Sequence, residues 1–189
     1  MSTGWILAAV AAAIVVYLIV VFNRLVRQRN VVREGWSGID VQLKRRTDLV
    51  PNLVETVKAY ASHERSLFEE IASRRAASVA ASDVGAQANA ERALSGSLGK
   101  LMAVAEAYPE LKANQNFLEL QNQLAEIEDH VQMSRRYYNG AVRNLNISIQ
   151  SFPDVIVARP LGFREEPFFE LESRAEAAAP QIGFPGGKA

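Results

Sequence analysis

The chain has no cysteine and only two histidines. The first absence excludes disulfides, thiolate nucleophiles and cysteine metal sites, and it agrees with a cytoplasmic domain. The histidines fit no metal pattern. His63-Glu64 is followed by Leu67 where an H-E-x-x-H helix needs its second histidine. Tyr60 and Ile127 stand three residues before the histidines, where a carboxylate di-iron bundle needs glutamates. In the group Glu126, Glu128, Asp129 and His130, only Glu126 and His130 share a helical face. Glycine-rich phosphate loops and a G-x-S-x-G nucleophile elbow are missing as well. The sequence therefore offers no catalytic residue, metal site, cofactor or small-molecule substrate. An excess of one charge is lacking too, with 21 Lys plus Arg against 21 Asp plus Glu, which argues against a nucleic-acid binder. Finally, no charged side chain occurs before Arg24.

What stands in that uncharged stretch is an unbroken apolar run, Trp5 to Phe22. Its eighteen residues would span about 27 Å as a helix, close to a hydrocarbon core of about 30 Å. A cleaved signal peptide would need a basic leader, and Met-Ser-Thr-Gly-Trp has none. The run reads as a single-pass transmembrane helix over residues 5–23. Arg24, Arg27, Arg29 and Arg33 follow at once and set topology or meet lipid headgroups. Residues 1–4 are expected outside and the remainder in the cytoplasm. Gly4, Ala8 and Ala12 form a row of small residues suited to packing against another transmembrane helix.

Beyond the arginines the periodicity is helical. Val32, Trp36, Ile39 and Leu43, then Val50, Leu53, Val57, Tyr60, Leu67 and Ile71, read as one long amphipathic helix with Trp36 packed in the soluble part. Pro51 predicts a kink or break at Thr47–Pro51, and Arg74 and Arg75 suit the helix end. Ser78 to Gly85 reads as a turn. A second helix is expected from Ala86 to Ala107, where Gly96 and Gly99 either admit a close neighbour or mark a soft stretch. A third helix has the clearest seam, from Phe117 to Phe152, with Asn116 and Glu119 as a capping pair and Phe152-Pro153 as its end. The proline-broken segment that follows should be extended and lie on the bundle. Residues 173–189, rich in Ala, Pro and Gly, read as a disordered tail.

The third helix carries Arg136, Tyr138, Asn139, Arg143 and Asn146 within two heptads. Asn139 and Asn146 lie seven apart on one face. They read either as a polar ladder that fixes helix register or, with the other three, as a partner-binding surface.

These stretches carry a resemblance. Arg46-Thr-Asp-Leu-Val-Pro-Asn-Leu-Val54, Phe117-Leu-Glu-Leu-Gln121, Arg135-Arg-Tyr-Tyr-Asn-Gly-Ala-Val-Arg143, Ile149-Gln-Ser-Phe-Pro153, Gly162-Phe163 and Pro167-Phe168-Phe169 together resemble the LemA family, in the family's order. Leu145, where the family usually has tyrosine, and Pro160, where it more often has an apolar residue, depart from the pattern. The resemblance implies a bacterial inner-membrane protein with a long-helix cytoplasmic bundle, and it supplies no catalytic residue to carry over. The expected fold is all-α: the transmembrane helix continues into an antiparallel bundle of three to four long helices over residues 24–172. The expected function is a non-enzymatic scaffold or adaptor. It would present its bundle to a partner protein or to a second copy of itself, or alternatively regulate a membrane protease or transporter through the transmembrane helix.

Overall fold

The structure, a computed structural model, describes residues 2–170, and the tail expected at 173–189 lies outside them. Six helices follow in chain order: α1 (Ser2–Lys58), α2 (Arg65–Ala80), α3 (Val84–Glu106), α4 (Pro109–Lys112), α5 (Gln115–Gln150) and α6 (Val155–Ala158). No strand occurs among the described residues.

At 57 residues, α1 is about 85 Å long. Every side chain from Thr3 to Val20 is exposed. Trp5, Ile6, Val10, Ile14 and Ile19 are all more than half exposed, and only 6% of the most apolar eighteen-residue window is buried. This helix is long and apolar enough to cross a membrane. From Val21 onward one face goes inside: Val21, Leu25, Val32, Ile39, Leu43, Val50, Leu53 and Val57 are buried. The same helix is thus apolar all round at its start and one-sided afterwards, which marks where its surroundings change.

The helix continues through Pro51, so of the kink or break expected at Thr47–Pro51 the break does not occur. A proline leaves the carbonyl four residues earlier without its helical donor. Here that carbonyl belongs to Thr47, and Arg75 of α2 donates its Nε–H to it at 2.6 Å. A side chain from a neighbouring helix therefore replaces the missing bond. The real interruption lies at 59–64, where Tyr60 and Ala61 both donate to the Val57 carbonyl. Arg75 is correspondingly mid-helix in α2 and not at a helix end.

α5 returns beside α1 in the opposite direction. Arg24 pairs with Asp154, Gly35 abuts Tyr138, Gly38 abuts Ser134 and Arg46 pairs with Glu128, so one index falls as the other climbs. Its N-cap is Asn114, whose side chain accepts from the Phe117 amide at 3.1 Å, and not the expected Asn116. A Cβ on Gly35 would sit 3.1 Å from the Tyr138 Cα, so this glycine sets the closest approach of the two long helices. Among the described residues Gly96 and Gly99 meet nothing within 4 Å, so none of these is the close neighbour considered for them.

α2 and α3 form an antiparallel hairpin tied by Ser97 and Lys100 to Glu70 and by Ser78 to Glu91. Two apolar clusters result. One joins α1 from Val21 to Leu49 with α5, α6, Phe163 and Phe169. The other joins Val50, Leu53 and Val57 with Leu67, Phe68 and Ile71 of α2 and Leu94, Leu98 and Leu101 of α3.

Candidate functional site

Three polar constellations interrupt this apolar architecture. The first is on α5. Asn139 donates its Nδ2–H to the Phe169 carbonyl at 3.1 Å and accepts the Phe169 N–H at 2.9 Å. Asn146 does the same with Glu166, at 2.9 Å in both directions. Tyr138 donates its hydroxyl to the Pro167 carbonyl at 2.9 Å. Seven helical residues rise about 10.5 Å, and three residues of fully extended chain cover about 10–11 Å. The two amides therefore grip a strap pulled nearly straight. Each asparagine gives the strap the donor and acceptor that a neighbouring strand would give. The ladder spacing noticed in the sequence is the spacing of these two grips, and the amides face the strap rather than another helix. Above them Trp36 packs on both Tyr138 and Phe169, at 5.5 and 5.6 Å between ring centroids. Burial, with the Glu166 carboxylate adding to it, pushes the Tyr138 hydroxyl up to about 12.

The second constellation lies where the two apolar clusters meet. Arg46 of α1 is 2% exposed and pairs with Glu91 of α3 at 3.0 Å and Glu128 of α5 at 2.7 Å. It also donates to Ser95 Oγ at 2.7 Å. Glu91 is fully buried and accepts from Gln87 and from the Ser78 hydroxyl. One guanidinium thus joins three long helices. Burial raises the Glu128 carboxyl above its usual range; Arg46 pulls against that shift and Glu91 adds to it. Sequence reasoning met Arg46 only as the first residue of a family motif and passed over Glu91. The signal was in the stripes: Arg46 sits between Leu43 and Val50, and Glu91 heads the stripe Leu94, Leu98, Leu101. Two opposite charges on apolar faces that must pack together are a pair waiting for a partner. A polar cleft of about 320 Å³ opens beside the junction, where Asp40 and Asp48 offset Lys44 and Arg75. Lys44 and Asp48 already pair at 3.3 Å.

The third constellation is at the start of the bundle. Asp154 accepts from the Tyr17 hydroxyl at 3.0 Å and pairs with Arg24. Arg29 lies 5.2 Å over the Phe163 ring. Arg27 and Arg33 are exposed.

Of the residues expected to bind a partner, Tyr138, Asn139 and Asn146 thus come together on the strap, while Arg136 and Arg143 are exposed. Gly4 meets nothing within 4 Å, and Ala8 and Ala12 are exposed, so no other element of the described chain lies against that row. Among the described residues no three His, Asp or Glu side chains converge as a metal group. His130 lies 3.6 Å from Glu126.

Residues 35–184 match the family model described as LemA family. The two magnetosome proteins MamQ of Paramagnetospirillum magneticum are each 26% identical over 184 residues, covering 84% of this chain and 68% of the relative. Protein LemA of Metamycoplasma hominis is 25% identical over 150 residues, covering 78% of this chain and 68% of its own.

Proposed function

The chain belongs to the LemA family, and from that premise we propose that it is a membrane-anchored, non-enzymatic scaffold or adaptor. In this reading the N-terminus faces outside, a single helix crosses the bacterial inner membrane, and the bundle works in the cytoplasm. One observation carries the proposal: the apolar span and the first helix of the bundle are a single uninterrupted helix. A rigid join of this kind fixes the bundle's distance from the bilayer. A flexibly tethered enzyme has no need of that, whereas a platform does. The buried charges support the same reading, because Arg46, Glu91 and Glu128 are engaged with one another between the helices. The exposed surface of α5 with Arg136 and Arg143 is the face offered to a protein partner or to a second copy. The relatives named as magnetosome proteins make a role in organising membrane-bound assemblies the natural analogy.

The test is in-cell cross-linking of the full-length protein, followed by membrane extraction and mass spectrometry. A reproducible foreign partner lost in Arg136→Glu supports the adaptor. Self-cross-links alone favour a homo-oligomeric scaffold. A labelling reagent confined to the cell exterior should miss cysteines introduced after Arg33, and labelling there would reverse the topology.

A second reading is favoured by the uncovered row Gly4, Ala8 and Ala12: accessory control of a membrane protease or transporter through helix contact inside the bilayer. Replacing all three with leucine separates the two. Unchanged partner recovery removes the contact within the membrane.

A further inference from the structure

The chain between Phe152 and Leu161 is apolar on the side that the bundle does not use. Val157 and Ala158 are buried against α1, but Phe152 is 81% exposed, Ile156 62% and Leu161 54%. These exposed side chains do not stand alone. An apolar cleft of about 500 Å³ separates Ile156, Pro160 and Leu161 from Leu18, Ile19 and Phe22 of α1. Phe163 meets Phe22 edge to face at 6.0 Å. The segment is therefore a lateral extension of the surface that α1 presents between Leu18 and Phe22.

Its position along α1 is fixed by polar bonds. Asp154 is held by the Tyr17 hydroxyl and by Arg24, which leaves its side chain 11% exposed. Tyr17 lies five residues inside the end of the apolar run at Phe22, about 7–8 Å along the helix axis. Amphipathic segments lying in a bilayer interface bury their apolar side about 5–10 Å into the headgroup and acyl boundary. The two depths agree. The one acid of the segment is turned inward and neutralised, whereas Arg159 is exposed, as a cation at headgroup level should be.

We propose that Phe152–Leu161 is a second membrane contact, inserted into the acyl boundary of the leaflet nearest the bundle, with lipid chains filling the cleft between Ile156 and Leu18. The proposal rests on the reading of α1 as a membrane span. It goes further by giving the bundle two points of attachment. One helix alone leaves the bundle free to rotate about its axis. A second contact fixes which face of α5 points along the membrane.

A chain with no native cysteine permits a direct test. Single cysteines replace Val16, Val79, Ile156 or Leu161, each more than half exposed, so each accepts a spin label without disturbing the core. The full-length protein is reconstituted into phosphatidylcholine–phosphatidylglycerol vesicles. Collision with oxygen, which concentrates in lipid, is compared with collision with a water-soluble nickel chelate. The expected result is that labels at 156 and 161 collide more with oxygen than with nickel, as at 16, and that the order reverses at 79. Labels at 156 and 161 that collide freely with nickel, while 16 remains protected, overturn the second contact and leave the span intact. Protection from both reagents at 156 and 161 also overturns it, in favour of a second protein copy covering the site. Nickel collision at 16 would instead remove the span itself.

Discussion

The membrane-proximal and distal halves of the bundle solve the same packing problem differently. Both must cover the apolar face of α1. In the distal half the α2–α3 hairpin does so with Leu67, Ile71, Leu94, Leu98 and Leu101, which is area burial without direction. In the proximal half α5 covers one side, and what closes the remainder is a strap carrying one fully buried ring, Phe169. A strap without its own ladder must find partners for its backbone, and five hydrogen bonds from Tyr138, Asn139 and Asn146 supply them. Directional bonds fail one at a time and all at once, whereas leucine contacts fail by degrees. The proximal half should therefore be brittle to single polar substitutions, and the distal half tolerant of them.

The largest effect is expected where the halves meet. Arg46→Met strands the fully buried Glu91 carboxylate and should cost about 3–5 kcal/mol, as removal of one partner of a buried pair does. Adding Glu91→Leu should recover most of that loss, because two apolar side chains tolerate the site better than one orphaned charge. Denaturant unfolding of the detergent-solubilised chain measures both. A double variant no more stable than the single one would mean that Arg46 matters through Glu128 and Ser95 instead.

Next comes the strap. Asn139→Ala removes two bonds and leaves the Phe169 N–H and C=O unsatisfied, at roughly 1–3 kcal/mol for each stranded group. The loss should be local. Amide exchange at Phe169 should accelerate while the amides of Leu94 to Leu101 keep their protection. Equal acceleration in both halves would show that the strap and the hairpin unfold as one unit and would dissolve the comparison.

Glycine substitutions sharpen it with smaller effects of opposite sign. Gly35→Ala places a methyl 3.1 Å from the Tyr138 backbone, so α1 and α5 must separate, at about 1–3 kcal/mol. Gly96→Ala and Gly99→Ala meet open space and should each stabilise α3 by about 0.5–1 kcal/mol through its helix propensity. Thermal unfolding of the three variants gives the signs directly, and a destabilised Gly99→Ala would reveal a neighbour of α3 absent from the isolated chain.

How far the sequence could be read follows the same division. Apolar periodicity located α3 and α5 to within a few residues, and the charge-free run marked the span, because these depend on spacing along one helix. Pro51 misled because its remedy, Arg75, is 24 positions away and belongs to another element. Asn139 and Asn146 were conspicuous, since asparagine is a poor helix former at any position. That they hold a strap was not legible, because an amide facing a backbone and an amide facing a helix have the same spacing. Arg46 and Glu91 were legible only as a pair, each breaking an apolar stripe.

The smallest expected effects come from pH, and they separate the halves by direction. In the proximal half the Tyr138 hydroxyl is held up to about 12 from an ordinary value of 10. A group whose folded value is raised contributes stability that is complete below its unfolded value and lost as pH climbs through the folded one. The strap should therefore loosen between pH 10 and 12, as the phenolate can no longer donate to Pro167. In the distal half Glu70 is held below its ordinary value by its bonds from Lys100 and Ser97. Its contribution is present above 4.5 and lost as pH falls through the lowered value, so the α2–α3 hairpin should weaken only in acid. Glu128 at the junction has the opposite sign to Glu70, because burial raises it: its contribution is complete below 4.5 and lost as pH rises. Trp36, packed against the rings of Tyr138 and Phe169, reports the strap by fluorescence once Trp5 is replaced with phenylalanine. Its signal should shift above pH 10 and stay flat through the acid range, and Tyr138→Phe should abolish the alkaline shift. A Trp36 signal that moves in acid would place the first acid-sensitive contact in the proximal half and reverse the assignment of the two directions.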